Sequence, residues 1–298
     1  MLAKIKTCSI FGLQVDEIEV EVDIASGLPA VNIVGLPDTT LKESRERVRA
    51  AIKNSGYSFP LKRITINLAP ADTKKEGTHF DLPIALGILV ASDQIEFEGF
   101  NTTVILGELS LDGKINGVKG ALPMLLEAVK NGCNKAILPL ENIEEAKLVQ
   151  GLQCVGIGTL KELIGFIRGD LDLATYTGSS EDGIEGHKFT EDFADLRGQE
   201  NLKRGMEIVA AGCHNLLMIG PPGSGKTMAA KRLPSILPRL TFDEAMEITK
   251  IYSISGLLAG KGGLVMQRPF RSPHHTSSMM AITGGGRIPK PGEVSLSH

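Results

Sequence analysis

Eight residues constrain what this chain can fold into more than any other stretch: Gly220, Pro221, Pro222, Gly223, Ser224, Gly225, Lys226 and Thr227. They fit the spacing G-x-x-x-x-G-K-[ST], and the segments on either side have opposite characters. Leu216-Leu217-Met218-Ile219 is a short apolar run suited to a buried parallel strand, and Met228 to Leu233 begins a helix that Pro234 interrupts. The pattern therefore predicts a strand, a phosphate loop and a helix N-terminus. The glycines let backbone N–H groups approach an anion, and the unpaired amides with the helix dipole favour triphosphate oxygens. In such a loop Lys226 reaches the β- and γ-phosphates of ATP, and the Thr227 hydroxyl takes a place on Mg²⁺, which keeps most of its waters.

A chain of 298 residues is too long for one comfortable core and long enough for two. Apolar residues make up 42% and aromatic ones only 4%, with no Trp, so aliphatic side chains must fill both cores. A formal charge of -3 exerts no global pull toward nucleic acid or an anionic membrane, so any such binding must come from a local patch. Cys8, Cys133, Cys154 and Cys213 are far apart and form no C-x-x-C pair; they read as buried thiols in a reducing compartment rather than a disulfide or zinc framework. The N-terminus carries no signal-peptide pattern, and the longest apolar stretch, Leu82 to Ala91, falls well short of the ~20 residues of a spanning helix. The expectation is a cytoplasmic protein without membrane contact.

Along the first half, Ile18 to Ile24 alternates apolar and acidic residues, the period of a half-buried strand. Ala30 to Val34 predicts a second, more buried strand. Thr40-Leu41-Lys42-Glu43 reads as a capping box opening a helix that buries Leu41, Val48 and Ile52. Its Arg45, Arg47, Arg49 and Lys53 suggest nucleic acid, but a solvated face balanced by Glu43 and Glu46 is the favoured reading. Arg63 to Leu68 predicts a strand, and the stretch from Leu82, capped by Asp81 with Pro83 in its first turn, a helix apolar all round and hence buried. Val104 to Leu111 runs into Asp112-Gly113, a hairpin signal. Helices over Ala121–Asn131, Glu141–Val149 and Thr159–Ile167 then alternate with strands over Lys135–Pro139 and Gln153–Ile157.

The run Thr73-Lys74-Lys75-Glu76-Gly77-Thr78-His79-Phe80-Asp81-Leu82, the later Leu106 to Ile115, Gly117-Val118-Lys119 and Ala136-Ile137-Leu138-Pro139 resemble the proteolytic domain of Lon proteases, over roughly residues 60 to 168. The resemblance implies the fold of ribosomal protein S5 domain 2. Lon-type proteases pair a Ser nucleophile with a Lys. Lys119 stands at the Lys position, but His79 stands where the Ser should be, and Thr78 is one residue out of register. The expectation is a non-proteolytic domain, in which Lys119 reads as a structural or surface lysine.

Residues 172 to 190 are polar, acidic and rich in Gly and Ser, the composition of a linker. This places the Lon-like domain at residues 1–171 and a second domain at 191–298. Beyond the linker, a helix over Asn201–Gly212 follows Leu196-Arg197-Gly198-Gln199, and the passage resembles the start of an AAA+ ATPase module, where that tetrapeptide would lie beside the adenine. Thr241 and Glu244 make a capping box, so Asp243 and Glu244 are helix-start residues rather than a Walker B pair. His274-His275 tempts a metal reading, but adjacent strand residues face opposite ways and no Cys or carboxylate cluster accompanies them.

Arg268-Pro269-Phe270-Arg271-Ser272-Pro273-His274-His275-Thr276 and Pro291-Gly292-Glu293-Val294-Ser295-Leu296 resemble the magnesium-chelatase-like branch of AAA+ proteins. A Lon-like domain before such a module is the arrangement of the YifB/ComM family. The fold class implied is α/β: an S5 domain 2-like α+β domain, then the first part of a P-loop AAA+ domain, the chain reaching His298 ahead of the Walker B strand, sensors, arginine finger and lid. The resemblance further implies a homo-oligomeric ring, a hexamer, driven by ATP hydrolysis and acting on DNA in competence or branch migration. Arg268, Arg271, Arg287 and Lys290, with no acid between Lys261 and Lys290, are candidate nucleic-acid contacts on a hairpin facing the pore. The alternatives are a metal-insertion subunit like that of magnesium chelatase and an ATP-dependent Lon-like peptidase.

Overall fold

The computed structural model describes residues 2–99, 101–178, 191–258, 263–286 and 289–297. The chain divides into two compact units. The first holds Met1–Ser180, Lys250–Gly263 and Gly286–Lys290, and the second holds Glu181–Thr249, Leu264–Gly285 and Pro291–His298.

In the first unit β1 (Leu2–Phe11) and β2 (Gln14–Ala25) form a long antiparallel hairpin about Gly12, whose φ of 67° suits a residue without Cβ. β1 arises where the sequence suggested only a brief apolar run: Ala3 and Ile5 enter the core, while Lys4 reaches Glu19 and Glu21 and Lys6 reaches Glu17 across the pair. There follow β3 (Ala30–Val34), α1 (Thr39–Asn54), β4 (Arg63–Ala69), α2 (Asp81–Ala91), β5 (Thr103–Ile105), β6 (Glu108–Leu109) and β7 (Ile115–Asn116). The unit continues through α3 (Ala121–Lys130), β8 (Lys135–Pro139), α4 (Ile143–Ala146), β9 (Gln153–Ile157), α5 (Leu160–Arg168) and β10 (Thr175–Thr177).

Eight strands form one mixed sheet in the order β10-β9-β8-β5-β1-β2-β4-β3, and β6 and β7 make a separate hairpin. The parallel pairs are β1 with β5, β5 with β8, β8 with β9 and β3 with β4.

α2 lies at the centre. All eleven of its residues are buried, as an all-apolar helix requires, and each large side chain there contributes about 1.5–3 kcal/mol relative to exposure. Gly87 lets the helix press onto the sheet: a Cβ there would meet Val22 Cγ2 at 2.7 Å. On the opposite face Cys8 contacts the Met124 carbonyl of α3.

Five expectations need correction. α1 is capped by Asp38, which accepts from Leu41 N at 2.7 Å, rather than by Thr40. Asp81 does not cap α2; its buried carboxylate takes Arg47 Nε at 2.7 Å and the Ser44 hydroxyl, because a charge at that depth needs a cation more than the helix needs a cap. β3 has the predicted bounds but forms the sheet edge, with Val34 exposed, since only β4 pairs with it. The helix expected over Glu141–Val149 tightens to a 3₁₀ turn at Leu140–Asn142 and the single turn α4. Within the stretch read as linker, Thr175–Thr177 is β10, paired antiparallel to β9; residues 179–190 lie outside the described residues.

The second unit contains α6 (Glu200–Gly212), α7 (Lys226–Arg232), α8 (Phe242–Ser255, with Lys250 onward grouped in the first unit), α9 (Met279–Thr283) and α10 (Glu293–Leu296). Leu196, Met206 and Ala229 form its small core, with Phe193, Leu202, Met218, Leu233 and Ile236 against them. Among the described residues it has no strand, and no helix among the described residues of either unit is long and apolar enough to cross a membrane. Three cysteines are buried as expected, but Cys213, just past α6, is exposed.

Candidate functional site

The eight-residue loop leads into α7 as the spacing requires. Gly223 and Gly225 have φ of 80° and 82°, the left-handed region that a Cβ disfavours, and Gly225 immediately precedes the helix. Lys226 is the first helical residue and folds back over the loop. Its Nζ donates to the Gly220 carbonyl at 2.8 Å, the Pro221 carbonyl at 2.7 Å and Ser224 Oγ at 3.2 Å. The cation thus rests on the loop's own carbonyls at a helix start, where an anion is electrostatically favoured. Thr227 follows in the first turn of α7.

The tetrapeptide read as lying beside the adenine does approach this loop. Gln199, itself at φ 60°, donates from Nε2 to the Ser224 carbonyl at 3.5 Å. Behind the loop, Phe193 N donates to Ser235 Oγ at 2.9 Å, and Arg232 pairs with Glu191 at 2.7 Å, tying the chain before α6 to the far end of α7.

The strand expected before the loop is not formed. Leu216–Ile219 forms neither helix nor strand among the described residues, with Leu217 82% and Ile219 88% exposed. A strand's backbone groups are satisfied only by neighbours from elsewhere in the chain, and no described strand of this unit supplies one.

Thr241 and Glu244 do form the capping box: Glu244 N donates to Thr241 Oγ1 at 3.2 Å, and Thr241 N to Glu244 Oε2 at 2.8 Å. Glu244 also receives Arg268 at 3.2 Å, and Arg268 Nε donates to the Pro238 carbonyl at 2.9 Å. Arg271 makes a bidentate pair with Glu293, both contacts at 2.7 Å, and the guanidinium holds that carboxyl below its ordinary range. Two of the four candidate nucleic-acid contacts are therefore neutralised by acids distant in sequence, which the acid-free local stretch could not reveal. Arg287 lies outside the described residues, and Lys290 belongs to the first unit. No hairpin strand occurs among the described residues 263–286; α9 takes part of that stretch. His274 and His275 stack at 4.1 Å with His274 Nδ1 against Thr276 Oγ1, and among the described residues no group of three metal-ligating side chains exists.

In the first unit, His79 is buried and its Nε2 lies 2.8 Å from the Cys8 carbonyl. Burial lowers its pKa to about 4, so the ring is neutral near pH 7. Thr78 donates its hydroxyl to Glu108, not to a lysine. Among the described residues Lys119 makes no side-chain hydrogen bond, and a Cβ on Gly256 would meet its aliphatic stem at 2.8 Å.

Two family models match the chain: subunit ChlI of magnesium chelatase over residues 20–142, and magnesium chelatase, subunit ChlI, over residues 192–298. The protein YifB of Escherichia coli is 45% identical over all of this chain, and the competence protein ComM of Haemophilus influenzae 43% identical over 99% of it. The chain spans 58% of the length of each of these relatives. Lon protease 2 of Bacillus subtilis is 27% identical over 50% of this chain and 29% of its own length.

Proposed function

Because the chain belongs to the magnesium-chelatase-like family that includes YifB and ComM, we propose that its second unit binds Mg²⁺ and ATP through Gly220, Pro221, Pro222, Gly223, Ser224, Gly225, Lys226 and Thr227. The observation that carries this reading is the loop itself: two left-handed glycines turn the backbone toward a helix start, and the Lys226 ammonium rests on the loop carbonyls. An incoming triphosphate draws that ammonium from neutral carbonyls to β- and γ-oxygens, an exchange that strengthens each contact because the acceptor becomes charged. Thr227 Oγ1 would be the loop's ligand to Mg²⁺, which would offset the charge of the phosphate oxygens. Gln199, against the Ser224 carbonyl, fixes the loop's outer rim beside the base.

In the whole protein this module drives a homo-oligomeric ring, a hexamer, that hydrolyses ATP to move DNA. The relative named a competence protein supports that choice over metal insertion. Lon-like peptidase action is disfavoured by the site: His79 is neutral and engaged with Cys8, and the Thr78 hydroxyl is given to a carboxylate. Calorimetric titration with Mg-ATP tests the nucleotide assignment. Binding is expected in the parent and lost in Lys226→Ala, with α-helical circular dichroism retained. Equal affinity in the two proteins overturns it.

A further inference from the structure

The mixed sheet of the first unit ends on β3, and half of that strand's backbone has no partner in the sheet. Ala30 N donates to the Lys62 carbonyl, so the amides and carbonyls of Ala30, Asn32 and Val34 face β4. Successive residues alternate, so those of Val31 and Ile33 face away from the sheet, and among the described residues no strand pairs with them there. Their side chains pack on the core, which fixes the strand's register. Exposed edges are ordinarily blunted by a charge, a proline or a bulge, and the evenly paired Ala30-Val31-Asn32-Ile33-Val34 carries none of the three.

A cleft of about 270 Å³ adjoins this edge, lined by Val31, by α1 and by the loop from Phe59 to Lys62. It is smaller than the ~300 Å³ at which small-molecule sites begin, and has room for one side chain rather than a cofactor. Phe59, Pro60 and Leu61 supply its apolar surface, Leu61 being exposed.

The charged lining is Arg45, Arg49 and Lys62 against Glu46. One carboxylate meets three cations, so the surplus is positive however they pair. Glu46 takes Arg45 at 3.1 Å, and the Arg49 guanidinium lies 5.8 Å from the Phe59 ring centroid. Lys42 and Lys53 continue the same row of α1 at helical spacing, and Glu43, the helix's other acid, falls off it.

An open strand edge beside a basic, partly apolar cleft suits an extended acidic peptide. A second copy of this chain, joined β3 to β3 about a two-fold axis, would bring two such basic rows onto one face of the joined sheet, where like charges repel. A nucleic acid would use the cations and leave Val31 and Ile33 unpaired. We infer that β3 accepts an added strand from an acidic partner segment: its backbone pairs with Val31 and Ile33, its carboxylates meet Arg45, Arg49 and Lys62, and one large apolar side chain enters the cleft. The assignment is independent of nucleotide binding.

Fluorescence anisotropy of the full chain at low ionic strength tests it, with a labelled peptide in which Thr alternates with Glu and one central Glu is replaced by Phe. Alternation puts the Glu and Phe side chains on one face. This peptide is expected to bind, and its counterpart with Lys for Glu about tenfold more weakly or worse. Arg45→Gln combined with Arg49→Gln, both exposed on α1, should weaken binding about tenfold, and Arg45→Glu combined with Arg49→Glu should reverse the preference to the Lys peptide. In an antiparallel pair the residue opposite Val31 exchanges both hydrogen bonds with it and shares its face. N-methylation of the Glu and Phe amides should therefore abolish binding, and N-methylation of the Thr amides should not. The reverse pattern makes the added strand parallel and still supports the site. No binding, equal binding of the Glu and Lys peptides, unchanged affinity in the arginine variants, or full binding by both N-methylated peptides overturns it. So does an oligonucleotide that binds through these arginines more tightly than the peptide.

Discussion

Two short apolar runs met opposite fates in the two units. Leu82–Ala91 became a helix buried along its whole length, whereas Leu216–Ile219 forms neither helix nor strand and leaves Leu217 and Ile219 exposed. Composition does not separate them. A helix satisfies its backbone within the segment, so α2 needs only a sheet to lie on, and β1 and β2 supply it. A strand needs a partner for every N–H and C=O, and the second unit offers none among the described residues.

The same contrast runs through the charges. The first unit buries Asp81 beneath Arg47, while the ion pairs of Arg268 and Arg271 are half exposed.

The sharpest way to break this comparison is Asp81→Ala. It leaves the half-buried Arg47 guanidinium without its carboxylate and strips the buried Ser44 hydroxyl of its partner, and urea unfolding should show a loss of about 3 kcal/mol. A loss below about 1 kcal/mol would mean that water reaches the pair. Next comes a matched pair of truncations. Leu86→Ala should cost about 2–5 kcal/mol through the cavity it opens, and Leu217→Ala less than about 0.5 kcal/mol. Equal costs would show that the run before the phosphate loop is packed in solution.

His79 supplies a pH test specific to the first unit. Its folded pKa lies below its unfolded value, so the neutral ring's stabilisation is fully present above about pH 6.5. It is lost as pH falls from there toward about 4, because the unfolded chain binds the proton first. Complete burial puts the total at about 3 kcal/mol. Stability measured across this window should fall in the parent and fall less in His79→Gln, and an NMR titration of the ring with a midpoint near 6.5 would contradict the burial. The smallest effect belongs to Arg271 and Glu293. A double-mutant cycle with Arg271→Gln and Glu293→Gln should give about 0.5 kcal/mol, because both groups remain partly in water. Since Arg271 holds Glu293's carboxyl low, this contribution is present above the ordinary Glu range and disappears as pH falls through the folded pKa.

Much of the α/β fold was legible in local pattern. β3, β8 and β9 carry the predicted bounds, the helix predicted over Thr159–Ile167 is α5, and Gly132 closes the region of α3 as expected. β1 escaped notice because its Lys4 and Lys6 obscure the alternation until their glutamate partners on β2 are known. At the candidate site, the phosphate-loop geometry was readable because it is written within eight consecutive residues.

By itself, then, the sequence determined which segments turn and which bury a face: each depends on side chains within a few residues of one another, and backbone preference acts over that range. Only the tertiary structure decided which charges are spent. Asp81 looked like a cap and became the partner of Arg47; Arg271 looked like a free cation and met Glu293. Ion pairs form between groups that folding brings together from distant parts of the chain, and sequence spacing carries no measure of that distance.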